Sequence, residues 1–428
     1  MMAARSTAVR LPRFMSLNLQ ALCLAILSLP GLVLTGCATW QQPDAFDVSV
    51  LRARAESEEV KGVRLSAAVL GSSDSQQMFG ANINDTGVQP VWIEIENRTN
   101  QALWLLRSGT DPDLFSPLEV AWSFHRSFAS ETNARLDAHF DDLSFQNPVL
   151  PGETKSGILY TNPHRKTRLL SIDILGQREL FPFTLFPKVP DDDTGEGTVL
   201  VKVNKLIGEV TADFQHTDRF RASLKQLPCC ATGEDGNEAG DPVNVILVGR
   251  LEDIATALVR RGYRMNALAI DNAQRLFSRP PDIVARKVGQ SHAPANWLRI
   301  WVAPMRYQGK SVFLVQAGRP LGWRLDITEK TKQILNPKVD EVRNLLIQDM
   351  LYSSGLQKLA FVTGVGATEA GEMRSSLGDT RYHTDGLRAV LFFIQRPQSL
   401  SDLELLDWHP YLKLRETGKA MAPENDKN

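Results

Sequence analysis

The sequence predicts a mixed α+β protein, an all-β sandwich-like half followed by a mixed α/β half. Three observations carry this reading. Short apolar runs with period-two alternation, separated by turn residues, fill residues 61–190. Beyond residue 199, apolar positions at helical spacing alternate with continuous apolar runs of the kind that strands buried on both faces require. Between the halves, residues 191–198 read DDDTGEGT, acidic and nearly devoid of anything to bury, which marks a linker.

In the first half, Val91, Ile93 and Ile95 alternate with Trp92, Glu94 and Glu96, the signature of a half-buried strand. Asn97 to Asn100 form a turn, and the run from Ala102 is the return strand. Further strands are expected at Glu119–Phe124, Gly157–Thr161, Leu169–Leu175, Leu180–Phe186 and Thr198–Val203. The charged segment Leu51–Lys61 suits a helix. In the second half a helix is expected over Asp213–Leu227, closed by Pro228. A buried strand follows at Val243–Val248. Leu251, Ile254, Ala255, Leu258 and Val259 then recur at helical spacing until Gly262. Asn336 and Pro337 suit the N-cap and first position of another helix, in which Asp340 and Glu341 complement the macrodipole. Strands are expected at Trp297–Val302, Val312–Gln316, Leu359–Val365 and Leu387–Ile394. This half runs to residue 412, and the polar tail 413–428 is expected to be disordered.

The chain has 428 residues, 43% hydrophobic and 23% charged, enough for two cores. Lys plus Arg number 48 against 49 Asp plus Glu, so no basic surplus exists to neutralise a nucleic acid backbone. Nucleic acid is therefore not an expected partner.

Arg5, Arg10 and Arg13 precede an apolar run from Ala21 to Leu34, which ends in Leu34-Thr35-Gly36-Cys37. That tetrapeptide resembles a bacterial lipobox, in which cleavage precedes the cysteine and its thiol carries a diacylglycerol. On this reading residues 1–36 are a signal peptide, Cys37 is lipidated and residues 37–60 form a tether. A membrane-spanning reading of Phe14–Leu34 has the length but is interrupted by Ser16, Asn18, Gln20 and Ser28. Ala38 stands where an aspartate would signal retention, which favours the outer membrane over the inner one.

Export also frames the cysteines. Cys23 leaves with the signal peptide and Cys37 is lipidated, so Cys229 and Cys230 are the thiols of the mature chain, in an oxidising compartment. Adjacent Cα atoms lie about 3.8 Å apart, below the roughly 4.4 to 6.8 Å of ordinary disulfides, so two reduced thiols packed at a helix-to-loop junction are expected. A bonded pair, the alternative, would point to a redox role. Two thiolates alone make a poor zinc site, and no metal or cofactor is expected.

Five segments in order carry a resemblance: Leu227-Pro228-Cys229-Cys230, Gly240 to Gly249, Asn296 to Trp301, Pro337 to Arg343, and Tyr382 to Arg388. Over about residues 199–395 the chain resembles the C-terminal domain of the LssY family. In some members that domain follows a membrane-embedded phosphatidic acid phosphatase of the type-2 kind, which implies a lipid-envelope setting and assigns no chemistry to the domain itself. The family often has a histidine before the Leu-Arg-Leu-Trp-like strand of the third segment, where this chain has Asn296-Trp297.

The richest polar cluster is His383-Thr384-Asp385-Gly386-Leu387-Arg388. Arg299 and Arg388 each stand near the start of a strand, from which both could converge on a carboxylate or phosphate. Arg299, His383, Asp385 and Arg388 are thus the candidate anion or ligand site, although ion pairing with Asp340 or Asp385 is the commoner fate of such arginines. The chain lacks a serine nucleophile elbow, an HExxH, a Walker loop and a CxxC. The expected function is a lipid-anchored envelope protein on the periplasmic face that binds a protein or lipid partner without catalysis. The alternative is an envelope hydrolase or transferase acting on a phosphate-bearing or anionic lipid substrate.

Overall fold

The computed structural model describes residues 40–106, 114–127, 129–163, 169–190, 199–265, 274–287, 295–325, 331–369, 371–377, 380–395 and 397–409. Cys37, the expected linker at 191–198 and the tail beyond 412 lie outside them. The fold is mixed α+β, as the two periodicities require.

Helix α1 (Ser49–Arg54) leads into strands β1 (Glu56–Val60) and β2 (Val63–Val69), joined through Lys61 and Gly62, both at positive φ. The segment expected to be helical to Lys61 is therefore helical only in its first half. Its Glu-Ser-Glu-Glu-Val stretch alternates and pairs with β2 in an antiparallel register. Helix α2 (Ser72–Phe79) precedes β3 (Gln89–Asn97), β4 (Trp104–Leu106), helix α3 (Pro117–Trp122), helix α4 (Ser130–Leu143), β5 (Thr154–Thr161), β6 (Leu170–Leu175) and β7 (Leu180–Leu185). One sheet runs β1-β2-β3-β5 and a second runs β4-β6-β7. They enclose one core, to which Val91, Ile93 and Ile95 contribute from β3 and Ile172, Ile174, Phe181 and Phe183 from the facing sheet. Trp92 points the other way yet is buried; Arg52 of α1 lies over its ring, 6.0 Å from the centroid, and donates to Glu94 at 3.0 Å.

Two expected strands prove to be helices. Glu119–Phe124 falls in α3, where Ser116 accepts the Glu119 amide at 3.2 Å while Glu119 accepts the Ser116 amide at 2.6 Å. This is a capping box with Pro117 at the first helical position, and it overrides the alternation of the residues behind it. Thr198–Val203 falls largely in α5 (Val199–Glu209). Its β-branched residues favour a strand locally, but Val203 is fully buried and Leu206 and Ile207, three and four residues on, pack against the same core.

Gly157 in β5 shows why the sandwich needs a glycine. The segment after α4 crosses it closely, with the Phe145 amide donating to the Ile158 carbonyl at 3.1 Å. A Cβ at Gly157 would stand 2.5 Å from Phe145 Cα and 2.6 Å from its nitrogen. Both atoms are backbone and cannot swing aside. Gly157→Ala is expected to cost about 2 kcal/mol in urea denaturation. A loss below about 0.5 kcal/mol would mean that the crossing yields.

The second half adds β8 (Asp213–Phe214), helix α6 (Thr217–Lys225), β9 (Cys230–Thr232), β10 (Ala239–Pro242), β11 (Val245–Gly249), helix α7 (Leu251–Arg260), β12 (Tyr263–Met265) and β13 (Ile283–Lys287). There follow β14 (Trp297–Tyr307), β15 (Lys310–Gly318), β16 (Pro320–Leu325), β17 (Thr331–Leu335), helix α8 (Val339–Leu351), β18 (Leu356–Thr363), β19 (Arg374–Ser376), β20 (Thr380–Tyr382), β21 (Leu387–Phe393) and β22 (Glu404–Leu405). The main sheet is ordered β12-β13-β14-β15-β11-β21-β18-β22, with β8 against β14. Residues of α5, α7 and α8 join one core on one face, and α6 with Trp408 joins a second core on the other. Helix α8 begins at Val339, two residues later than Pro337 suggested, and Asn336 Oδ1 accepts the Lys338 amide at 2.9 Å.

Helix α7 also meets the sandwich. Arg260 donates to Asp173 Oδ2 at 2.8 Å, and the hydroxyls of Thr184 and Thr256 are 3.2 Å apart. Burial pushes the Asp173 carboxyl up, more than Arg260 pulls it down.

Candidate ligand site

The four residues singled out in the sequence belong to three separate settings. Arg299 on β14 stands opposite Gln316 on β15, and both are buried. Its guanidinium lies 4.3 Å from the Trp297 ring centroid, donates to Gln316 Oε1 at 2.9 Å, and lies 3.4 Å from Asp241 Oδ2. Asp241 in turn accepts from Gln274 at 2.6 Å, Ser376 at 2.5 Å and the Gln316 amide. The result is a buried polar network that ties β10, β14, β15 and β19 together. Gly318, opposite Trp297, makes room for the indole, since a Cβ there would overlap the ring.

Arg388 is buried on β21, three strand steps from Arg299 in the order β14-β15-β11-β21, or roughly 14 Å at the usual strand spacing. Its guanidinium donates to five backbone carbonyls: Val243 at 3.0 Å, Leu224 at 2.9 Å, Leu227 at 3.1 Å, Pro228 at 2.5 Å and Gly364 at 3.1 Å. Burial lowers it to about 10, still charged at neutral pH. Arg388 is a clamp on the end of α6 and the loop behind it, not an open anion receptor.

Asp385 pairs with Arg343 of α8, a residue outside the four candidates. Two donations from Arg343, both at 2.9 Å, hold Asp385, and further ones reach the Leu387 carbonyl at 2.9 Å and Asp340 at 3.3 Å. Asp340 accepts the Asp385 amide at 2.6 Å and the Thr384 hydroxyl at 3.1 Å. Burial raises Asp340 despite these donors. Burial also pushes Asp385 up, but Arg343 and the Leu387 amide outweigh it and hold the carboxyl below the usual range. Ion pairing of Arg299 or Arg388 with Asp340 or Asp385 was the expectation; the arginine in that place is Arg343. Arg343, three residues after Asp340 on the same helix face, takes both, whereas Arg299 and Arg388 are engaged elsewhere.

His383 is half-buried and Asp385 is exposed; of the four, His383 lines a cleft. This surface cleft of about 520 Å3 is shared with Lys338, Asp340, Glu341, Asn344 and Gln348, and the His383 amide donates to the Pro337 carbonyl at 2.9 Å. Among the described residues, no group of three or more His, Cys, Asp or Glu side chains is arranged to hold a metal ion.

Cys229 and Cys230 correct an expectation. They are joined in a disulfide, and Cys229 is exposed while Cys230 is buried. Pairing of Cys230 with Pro242 and the Val243 amide on the Cys229 carbonyl, at 2.9 Å, hold the backbone so that the side chains meet. The expected packing of both thiols at the helix-to-loop junction fails for Cys229, which is exposed like Pro228 before it.

These features define a mixed sheet with helices on both faces, a buried polar network and an open cleft at the start of α8. A family model described as the LssY C-terminus matches residues 272–387. The match takes in Arg299, Arg343, His383 and Asp385; the cysteine pair and Arg388 lie outside it. No curated protein matches the chain.

Proposed function

We propose that the chain is a lipid-anchored cell-envelope protein on the periplasmic face, held at the outer membrane through Cys37, whose folded part binds another envelope protein or lipid without catalysis. The observation that favours binding over turnover is how Arg299, Asp385 and Arg388 are used. Each is committed to partners inside the domain, so their charge maintains shape. The remaining candidate, His383, lines a cleft of mixed polarity suited to a partner's surface. The anchoring rests on Leu34-Thr35-Gly36-Cys37 behind an apolar run.

Mass spectrometry of the membrane fraction is expected to find a mature chain beginning at a diacylglyceryl-modified Cys37. An unmodified Cys37 in a chain that retains residues 1–36 would end the anchoring proposal. The purified lipoprotein, incubated with vesicles containing phosphatidic acid, is expected to release no phosphate. Release that requires His383 would select the hydrolase reading instead.

A further inference from the structure

Two adjacent cysteines close the smallest loop that a disulfide can close. The chain entropy such a bond removes from the unfolded state grows with loop size and is least for the smallest loop, so this bond is a poor staple. The surroundings already fix the segment without it. Arg388 clamps the Leu224, Leu227 and Pro228 carbonyls just before the pair, and the Val243 amide and the β9-β10 pairing hold it from behind. The two sulfurs are also differentiated. Cys229 is exposed, whereas Cys230 is buried with its Sγ 3.6 Å from the Tyr382 hydroxyl. Tyr382 is buried beside Arg374, and burial raises its phenol, so the O–H remains a donor.

We propose that Cys229 and Cys230 form a redox-active site that exchanges two electrons with an external dithiol, with Cys229 as the attacked sulfur and Cys230 as the leaving group. The thiolate of the dithiol attacks Cys229 Sγ, forming a mixed disulfide and breaking the Cys229–Cys230 bond. The electron pair of that bond leaves on Cys230, whose thiolate accepts a hydrogen bond from Tyr382 and then takes a proton from solvent. The second thiol of the reductant, as thiolate, attacks its own sulfur in the mixed disulfide and expels Cys229, which is protonated in turn. The protein ends as a dithiol and the reductant as its disulfide; oxidation by a disulfide runs the steps backwards. Because the backbone is held by bonds that do not involve sulfur, both forms keep the same fold. A stabilised leaving thiolate departs faster, which is the part Tyr382 plays.

The test uses the full chain purified without reductant, alkylated and mapped to the peptide that contains Cys229 and Cys230. In native buffer, no label is expected on this peptide before reduction and two labels after mild dithiothreitol. The unfolding temperature should move by less than about 2 °C between the two forms, the small loop giving the bond little stabilising leverage. Tyr382→Phe should slow reduction roughly three- to ten-fold at neutral pH while leaving the oxidised pair intact. Two labels without reductant would overturn the proposal, as would a bond that dithiothreitol reaches only in denaturant. An unchanged rate in Tyr382→Phe would remove Tyr382 from it.

Discussion

Arg388→Met is expected to destabilise the protein by about 4 kcal/mol, seen as a fall in the urea midpoint at pH 7. Methionine has a similar reach and no donor, so the five carbonyls of Val243, Leu224, Leu227, Pro228 and Gly364 lose their shared partner in a buried place. The Leu224 carbonyl belongs to the last turn of α6, where carbonyls have no partner within the helix and a cation is favoured. Gly364, at φ +145, brings its backbone within reach of the guanidinium, and a Cβ there would stand 3.1 Å from Arg388 Nη1. Arg388→Lys should recover less than half of the loss, because an ammonium is a compact point with three donors and cannot span a ring of five acceptors. A cost below about 1 kcal/mol in the methionine variant would show that water replaces the clamp. The same variant should release the segment before Cys229, so the disulfide becomes reducible at lower dithiothreitol.

The strands were legible where alternation and burial agree. Val91, Ile93 and Ile95 alternate because one face of β3 meets the sandwich core, and Val245 to Val248 form an unbroken run because both faces of β11 are covered. What escaped was decided elsewhere. Helix α3 was announced by Ser116-Pro117-Leu118-Glu119, a capping box visible in the sequence but outvoted by the pattern behind it. Helix α4, absent from the sequence reading, buries only Leu136 and Phe140, too thin a stripe to stand out. The order β15-β11-β21 puts β11 between strands far apart in the chain, which no local signal encodes. That order separates Arg299 from Arg388, so two arginines at strand starts, on the same face of the sheet, do not converge. The Asp340–Arg343 spacing of three, by contrast, was a readable sign that the carboxylate had a local partner. The sulfur bond depends on the register that brings Cys230 opposite Pro242, and adjacency in sequence says nothing about that.

Arg343→Met is expected to cost about 3 kcal/mol at pH 7, and the cost should shrink on acidification. Arg343 is only 1% exposed and holds Asp385, Asp340 and the Leu387 carbonyl at once. Without it, two carboxylates share a partly buried corner with no cation between them, and the turn from Thr384 to Leu387 loses its anchor. The sign follows from the protons. In the wild type Asp385 is held below its unfolded value, so its contribution is present above that value and is lost only as pH falls through the lower, folded one. Asp340, raised by burial, works the other way: its folded form takes up a proton first, and this penalty is relieved as pH drops through the raised value. In the methionine variant both carboxyls are raised, so lowering the pH from 7 towards 4.5 protonates them in the folded protein and removes most of their repulsion. The stability gap to wild type should therefore narrow over that range. Paired urea denaturations at pH 7 and 4.5 measure it. A gap that stays constant would mean that the loss is one of packing against Phe361, whose ring lies 5.3 Å from the guanidinium, and not of charge. Asp385→Asn in the Arg343→Met background separates the two further: it should restore part of the stability at pH 7 and little at pH 4.5, because the charge it removes is present only at the higher pH.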